Sequence, residues 1–346
     1  MEDQGIEVLL LSIGSDLPYL TGYEAMPLER LTMGVITRTD ATLVIPRLEA
    51  PRVVDHGVVE LVPWAETEDP IAIVRRLIGS SQAIAIGAQT WARFLIGLQE
   101  AAPTARFADA TTVMRPLRII KDQDEIELLR LAGAAVDRVV ERLHATRFGG
   151  KSESALAREV MEMTVEEGHD AAAFQVVASG PNAASPHHEP GDRQITAGDC
   201  VVIDFGGRVG GYCSDTTRTF HVGEPPDDYA DAFDALHRAQ LAGTAAAAPG
   251  VAAQDVDRAA RSVLEDAGWG DWFIHRTGHG IGLDAHEDPY LVEGNTEILR
   301  PGMAFSVEPG VYVAGKWGMR IEDIVVCTTA GNETLNNSPR RLAIVE

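Results

Sequence analysis

Residues 200–222, CVVIDFGGRVGGYCSDTTRTFHV, set two acids into an apolar, β-branched stretch that is interrupted only by glycines. Val201–Phe205 and Tyr212–Val222 read as strands joined at Gly210-Gly211. Asp204 and Asp215 stand 215 − 204 = 11 residues apart, so both can face one site across that hairpin. An ionised carboxylate among apolar neighbours costs several kcal/mol unless it is paired or bound to a cation. The acids in this stretch therefore mark function more than solubility.

Working outward, the same order of elements occurs twice. On the amino-terminal side, a helix opens with Asp122 as N-cap and Glu125 three residues on. Ile126, Leu129, Ala132, Val136, Val139 and Leu143 follow at helical spacing. A second helix spans Ser154–Glu167, ends at Gly168 and precedes a strand at Phe174–Ser179. On the carboxyl side come helices at Tyr229–Ala248 and Asp255–Ala267, then strands at Ala304–Val307, Val311–Ala314 and Met319–Thr328. Two helices followed by strands, twice over, predict an α+β domain of duplicated αα-β units, with helices on one side of a curved antiparallel sheet. The first hundred residues read differently. Val8–Ser12, Val35–Arg38, Leu43–Pro46, Val58–Val62 and Ala83–Ile86 are predicted strands, and Pro70–Ile78 and Thr90–Glu100 helices, which makes an α/β domain. The pattern loses its period between Pro103 and Asp122. Domains are accordingly expected at 1–115 and 116–346.

Seven of the ten histidines lie between His187 and His286, in the stretch that also carries the acids within strand patterns. Glu308 follows Ala304-Phe-Ser-Val, and Glu322 sits between Ile321 and Asp323-Ile-Val-Val. Arg218 and Arg320 are one source of compensating charge. Two carboxylates ~4 Å apart repel by about 4 kcal/mol at an effective dielectric of ~20, so a cluster of four calls for external positive charge. A pair of divalent metal ions would supply it. His279 lies in Thr277-Gly-His-Gly-Ile-Gly282, where glycines permit close backbone approach. Four carboxylates and one imidazole form a hard donor set, suited to Mn²⁺, Co²⁺ or Mg²⁺-like ions over a thiolate zinc site.

The whole chain has 346 residues, 45% hydrophobic and 23% charged, as expected of a folded protein of about two domains. Its net charge of −23, with lysine only at positions 121, 151 and 316, argues against nucleic-acid and membrane partners. Three cysteines in apolar stretches do not form a disulfide framework and suit a reducing, cytoplasmic location. Competing motifs fail: Asp204-Phe-Gly has no kinase glycine loop with it, and Tyr290 stands where a zincin helix after His286-Glu287 needs its second histidine.

Four segments, in order, resemble the signatures of the pita-bread metallopeptidases, in the Xaa-Pro dipeptidase (prolidase) and aminopeptidase P branch. They are Asp204-Phe-Gly with Tyr212-Cys-Ser-Asp215-Thr-Thr-Arg218-Thr; His275-Arg-Thr-Gly-His279-Gly-Ile-Gly-Leu-Asp-Ala-His286-Glu-Asp-Pro289; Ser306-Val-Glu308-Pro-Gly; and Met319-Arg-Ile-Glu322-Asp. Asp16-Leu-Pro-Tyr19-Leu-Thr-Gly22-Tyr resembles the creatinase-like amino-terminal domain of that branch; related domains begin with a helix before the first strand, and with about seven residues ahead of Val8 a shortened start is expected here. The resemblance implies a homodimer with two divalent ions per subunit, Mn²⁺ first and Co²⁺ or Zn²⁺ as alternatives, held by Asp204, Asp215, His279, Glu308 and Glu322. It makes Asp215 and Glu322 the bridging ligands. It places His187 and His286 against substrate, with His286 at the scissile carbonyl and Glu308 as proton shuttle, and gives pocket positions to His275, Tyr290 and Arg320. The chemistry would be attack of a metal-bridging hydroxide on the Xaa-Pro bond of a short peptide. Strict dipeptidases of the branch use an arginine at position 290 to hold the substrate carboxylate, where this chain has tyrosine. Aminopeptidase P action on longer peptides and non-prolyl dipeptidase action therefore stay open, as does a non-catalytic pita-bread binding module. No motif claims His188, His221 or His237, which read as packing or surface histidines.

Overall fold

A computed structural model describes residues 1–54, 56–57 and 59–346. The chain forms two compact units, Met1–Arg118 and Ile119–Glu346. The first is an α/β unit. Its strands are β1 (Val8–Leu11), β2 (Met33–Ile36), β3 (Ala41–Pro46), β4 (Glu60–Trp64), β5 (Ala83–Ile86) and β6 (Arg106–Asp109), and its helices α1 (Asp16–Thr21), α2 (Pro70–Ile78), α3 (Ala92–Ala101) and α4 (Thr111–Arg118). They build one mixed sheet in the order β4-β3-β2-β1-β5-β6. All four residues of β1 are buried, because the sheet is covered on both faces: Val8 and Leu10 pack with Ile73, Val74 and Phe94, and Leu9 and Leu11 with Leu17 and Met114. The stretch expected to be irregular after Pro103 instead carries β6, which pairs in parallel with β5, and α4, which holds Pro116 inside it. Period counting misses both because β6 is only four residues long and α4 only eight, with Pro116 inside it. The strand expected at Val58–Val62 runs from Glu60 to Trp64, and Val58 lies outside the described residues.

The second unit opens with α5 (Gln123–His144) and α6 (Glu153–Glu166), followed by β7 (Ala171–Ser179), β8 (Cys200–Val209), β9 (Tyr212–Cys213) and β10 (Thr216–Val222). The order recurs with α7 (Asp227–Ala246) and α8 (Ala253–Asp266), then β11 (Gly278–Gly280), β12 (Glu287–Leu291), β13 (Ala304–Val307), β14 (Gly310–Val313), β15 (Trp317–Arg320), β16 (Asp323–Thr328), β17 (Gly331–Thr334) and β18 (Ala343–Val345). The capping box read at the start of α5 is formed: Asp122 Oδ1 accepts from the Asp124 and Glu125 amides at 2.9 Å, and Glu125 Oε2 accepts from the Asp122 amide at 2.8 Å. Val136, Val139, Val140 and Leu143 of that helix pack with Val177, Val201, Ile203, Phe205 and Phe220. Each such buried side chain contributes about 1.5–3 kcal/mol.

The duplication extends to the backbone. Gly150 N–H donates to Ile195 O and Glu153 N–H to Arg193 O; in the second half Gly250 N–H donates to Leu299 O and Ala253 N–H to Glu297 O. The strands form two five-stranded sheets, β18-β10-β8-β7 with β9 on β8, and β12-β11-β13-β16-β17, and a two-stranded sheet β14-β15. Two expected strands are divided. Tyr212–Val222 breaks at Ser214-Asp215, and Met319–Thr328 is two strands in two different sheets, changing over at Ile321-Glu322. Both breaks fall on an acid of the cluster, where the backbone leaves the ladder and turns a carboxylate inward. No helix among the described residues is long and apolar enough to cross a membrane.

Candidate metal centre and its cavity

Pleat periodicity places the carboxylates. In β8, Val201, Ile203 and Phe205 pack with α5 and α6, so Asp204 projects from the opposite face with Cys200 and Val202. In β13, Phe305 and Val307 enter the core beside α8, which leaves Ser306 and the following Glu308 on the other face. Ser306 Oγ donates to Glu308 Oε1 at 3.1 Å. Asp215 reaches the same place through the break between β9 and β10. That break brings the Ser214 carbonyl so close to Gly206 that a Cβ there would lie 2.0 Å from its oxygen. Gly278 has the same purpose at β11, where a Cβ would meet Ser306 O at 1.9 Å. Glycine at both positions is a packing requirement of the site.

The five residues read from the sequence meet in one cluster. Ligand atoms of Asp204, Asp215 and Glu322 lie within 4.8 Å of one another, as do those of His279, Glu308 and Glu322, and those of Asp215, His279 and His286. The first two groups share Glu322 and together use all five. His279 Nδ1 lies 3.1 Å from Gly280 O, which fixes that nitrogen as the donor and turns Nε2 toward the acids, 3.2 Å from Glu308 Oε1 and 3.7 Å from Asp215 Oδ2. Arginine takes a share of the charge. Arg320 Nη2 contacts Asp204 Oδ2 at 2.7 Å, while its Nε and Nη1 donate to Thr217 Oγ1 and the Tyr312 hydroxyl. Arg218 is committed elsewhere, to Asp323 at 2.7 Å.

One guanidinium does not neutralise four carboxylates. Burial pushes Asp215 and Glu322 well above the usual carboxylate range, and the neighbouring acids push them further. Burial also raises Asp204, against the pull of Arg320. Glu308 goes the other way: burial raises it, but the hydrogen bond and charge of His279 bring it down to about 2. Asp204 Oδ1 and Glu322 Oε1 are buried and have no hydrogen-bond partner among the described residues. Unpartnered carboxylate oxygens facing one another, with an imidazole nitrogen aimed at them, fit divalent cations.

A cavity of about 830 Å³ opens onto the cluster. His187, His275, His286 and Arg320 line it with the four acids and the histidine of the cluster, and Phe174, Val176, Ile274 and Ala285 give it apolar wall. The rings of His279 and His286 stand 3.9 Å apart. His286 is pushed down to about 4, by burial first and then by the His279 charge. His275 is held between Arg276 O at 2.7 Å and the Tyr312 hydroxyl at 2.9 Å, and burial lowers its pKa. Tyr290 is not among the residues lining the cavity; its ring carries the guanidinium of Arg276, 4.3 Å from the ring centre, and Arg276 does line it. His188 reaches Glu153 at 2.8 Å, and His221 is buried with Nδ1 2.7 Å from Gly223 O, both packing roles. Sequence reading passed over Tyr312 and Arg276. Tyr312 sits in an apolar strand and left no mark in the sequence; Arg276 stood next to His275 in a motif that was already quoted.

Residues 127–329 match the model of metallopeptidase family M24, and residues 1–120 that of the creatinase/prolidase N-terminal domain. The chain is 44% identical to the probable dipeptidase PepE of Mycobacterium tuberculosis over 350 aligned positions, covering 99% of this chain and 93% of that protein. Among solved structures it resembles dipeptidase PepE from Mycobacterium ulcerans, with a TM-score of 0.93 at 44% identity over 99% and 94% of the two chains. It also resembles a prolidase from Thermococcus sibiricus, with a TM-score of 0.94 at 36% identity over 99% and 95%. With both units matched, the chain belongs to metallopeptidase family M24.

Proposed function

We propose that this protein is a two-metal peptidase that hydrolyses the Xaa-Pro bond of short peptides, dipeptides first, with Asp204, Asp215, His279, Glu308 and Glu322 as the metal ligands. The observation that carries the reading is the pair of three-residue donor groups joined at Glu322, with unpartnered oxygens on Asp204 and Glu322. Two divalent ions there would provide an acidified water as nucleophile and polarise the peptide carbonyl. The hard donor set favours Mn²⁺, with Co²⁺ or Zn²⁺ as alternatives.

The remaining work falls to side chains of the cavity. His286, on the cavity wall with its ring 3.9 Å from that of His279, offers a ring N–H to the carbonyl oxygen as charge develops on it. Glu308 is ionised and accepts the proton released by the nucleophile; from there it passes to the leaving nitrogen. Ser306 holds that carboxylate in place. Arg320, fixed by Thr217 and Tyr312, offsets the charge of Asp204. His187, exposed at the cavity wall, contacts the bound substrate. Three buried free cysteines suit a reducing cytoplasm, and the resemblance carries a homodimer with it.

Tyr290 favours a second reading, aminopeptidase P action on longer peptides, because the carboxylate-holding arginine expected there is missing. Initial rates of the Mn²⁺-loaded protein on an Xaa-Pro dipeptide and on the same sequence extended by one residue separate the two. Dipeptidase action predicts faster cleavage of the dipeptide; faster cleavage of the tripeptide gives the second reading.

A further inference from the structure

The cavity has two arginines, and they differ in what they are already bound to. Arg320 spends all three of its nitrogens on Asp204, Thr217 and Tyr312. Arg276 has no carboxylate within ion-pair distance of its guanidinium among the described residues, in a chain of 52 acids and 29 bases. An uncommitted guanidinium on the wall of a carboxylate-rich cavity needs an anion from elsewhere.

The local fold explains how it is kept in place. Thr277 N–H donates to Leu291 O at 3.0 Å and Gly278 pairs with Leu291, so Arg276 enters β11 beside the strand that carries Tyr290. The guanidinium carbon sits 4.3 Å from the centre of the Tyr290 ring. Stacking uses the face of the guanidinium and leaves its N–H edge open, the edge that grips a carboxylate with two parallel hydrogen bonds. The apolar wall of Phe174, Val176 and Ile274 lies in the same cavity and suits a small ring or aliphatic side chain.

We propose that Arg276, carried on the ring of Tyr290, receives the free α-carboxylate of a dipeptide substrate. Position 290 then supplies the platform instead of the cation. The proposal rests on the dipeptidase reading given above. It makes Arg276 a specificity residue, since a peptide extended past its second residue has no carboxylate to offer there.

The test compares kcat/KM for an Xaa-Pro dipeptide as free acid and as C-terminal amide, in the Mn²⁺-loaded wild type and in Arg276→Ala, Arg276→Lys and Tyr290→Leu. The wild type should prefer the acid. Arg276→Ala should lower the acid-to-amide ratio by about 10- to 100-fold, the weight of one charged hydrogen-bond pair, with the loss mainly in KM. Arg276→Lys should recover part of the ratio, and Tyr290→Leu should lose less than Arg276→Ala. Arg276→Met, which keeps an apolar stem on the ring, replaces Ala should that variant not fold. A ratio unchanged in Arg276→Ala or Arg276→Met overturns the assignment and leaves dipeptidase action standing. A wild type without preference for the free acid overturns the dipeptidase reading, and the assignment with it.

Discussion

Asp215 shows how far a single position trades stability for chemistry. It is buried, faces three other carboxylates, and is pushed well above its usual range, so ionising it in the metal-free fold costs stability at pH 7. Asp215→Asn removes that ionisation cost at constant shape. We expect the metal-free variant to be more stable than the metal-free wild type by about 1–2 kcal/mol, read as a melting temperature a few degrees higher. Turnover should fall by at least ~10²–10³-fold, and added Mn²⁺ should no longer raise the melting temperature as it does for the wild type. A variant less stable than the metal-free wild type would mean that the carboxylates are compensated by protein groups alone. The residues of this cluster were legible because acids inside apolar strand patterns are expensive. Tyr312 was not, because a buried hydroxyl in a strand looks like any other core aromatic until Arg320 and His275 are seen at its oxygen.

At the scale of elements, α6 holds the segment that carries His187. Glu153, buried in the first turn, accepts from the Ser179 amide and hydroxyl at 2.8 and 2.7 Å, from Asn182, from His188 Nε2 at 2.8 Å and from the Gly191 amide. One carboxylate thus pins the end of β7 and the turn that follows it. Burial raises its pKa, but the hydrogen bonds from Ser179, His188 and Asn182 outweigh burial and leave it lowered. A lowered carboxylate stabilises the fold above its unfolded-state pKa, and that contribution is lost as pH falls through the folded value. Glu153→Gln should therefore cost about 2–4 kcal/mol at pH 7, and the gap to the wild type should narrow progressively below about pH 4.5. Denaturant unfolding at pH 7 and at pH 4 reads this directly, and a gap that widens at low pH would refute it. Helices and their caps were the most legible elements, since their period and end signals are local. The sheets were not. Met319–Thr328 alternates like one strand, yet it changes sheet at Glu322, because the pull that breaks it comes from residues far away in sequence, such as Thr217, whose carbonyl accepts from the Glu322 amide at 3.2 Å.

For the whole molecule, duplication explains why the site lies where it does. Each half places two helices against strands, and in each the strand after the repeated backbone bonds delivers one acid to the cluster: Asp204 within β8 and Glu308 just beyond β13. Neither half has the full set. His279 and Glu322 come from the second half, and Asp204 and Asp215 from the first, so the centre exists only where the two halves meet. The repeat was visible in the order of elements without any visible identity between the halves, because helix period and strand alternation persist where residue identity does not. The central claim is that this assembled cluster holds two ions and that both are needed for turnover. Metal content per chain, measured by elemental analysis on protein stripped with chelator and reloaded stepwise with Mn²⁺ while Xaa-Pro dipeptide hydrolysis is followed, tests it most directly. We expect two ions per chain at saturation, no turnover in the stripped protein, and full turnover only as the second ion enters. Full hydrolysis by stripped protein, or saturation at one ion per chain with full activity, would contradict it.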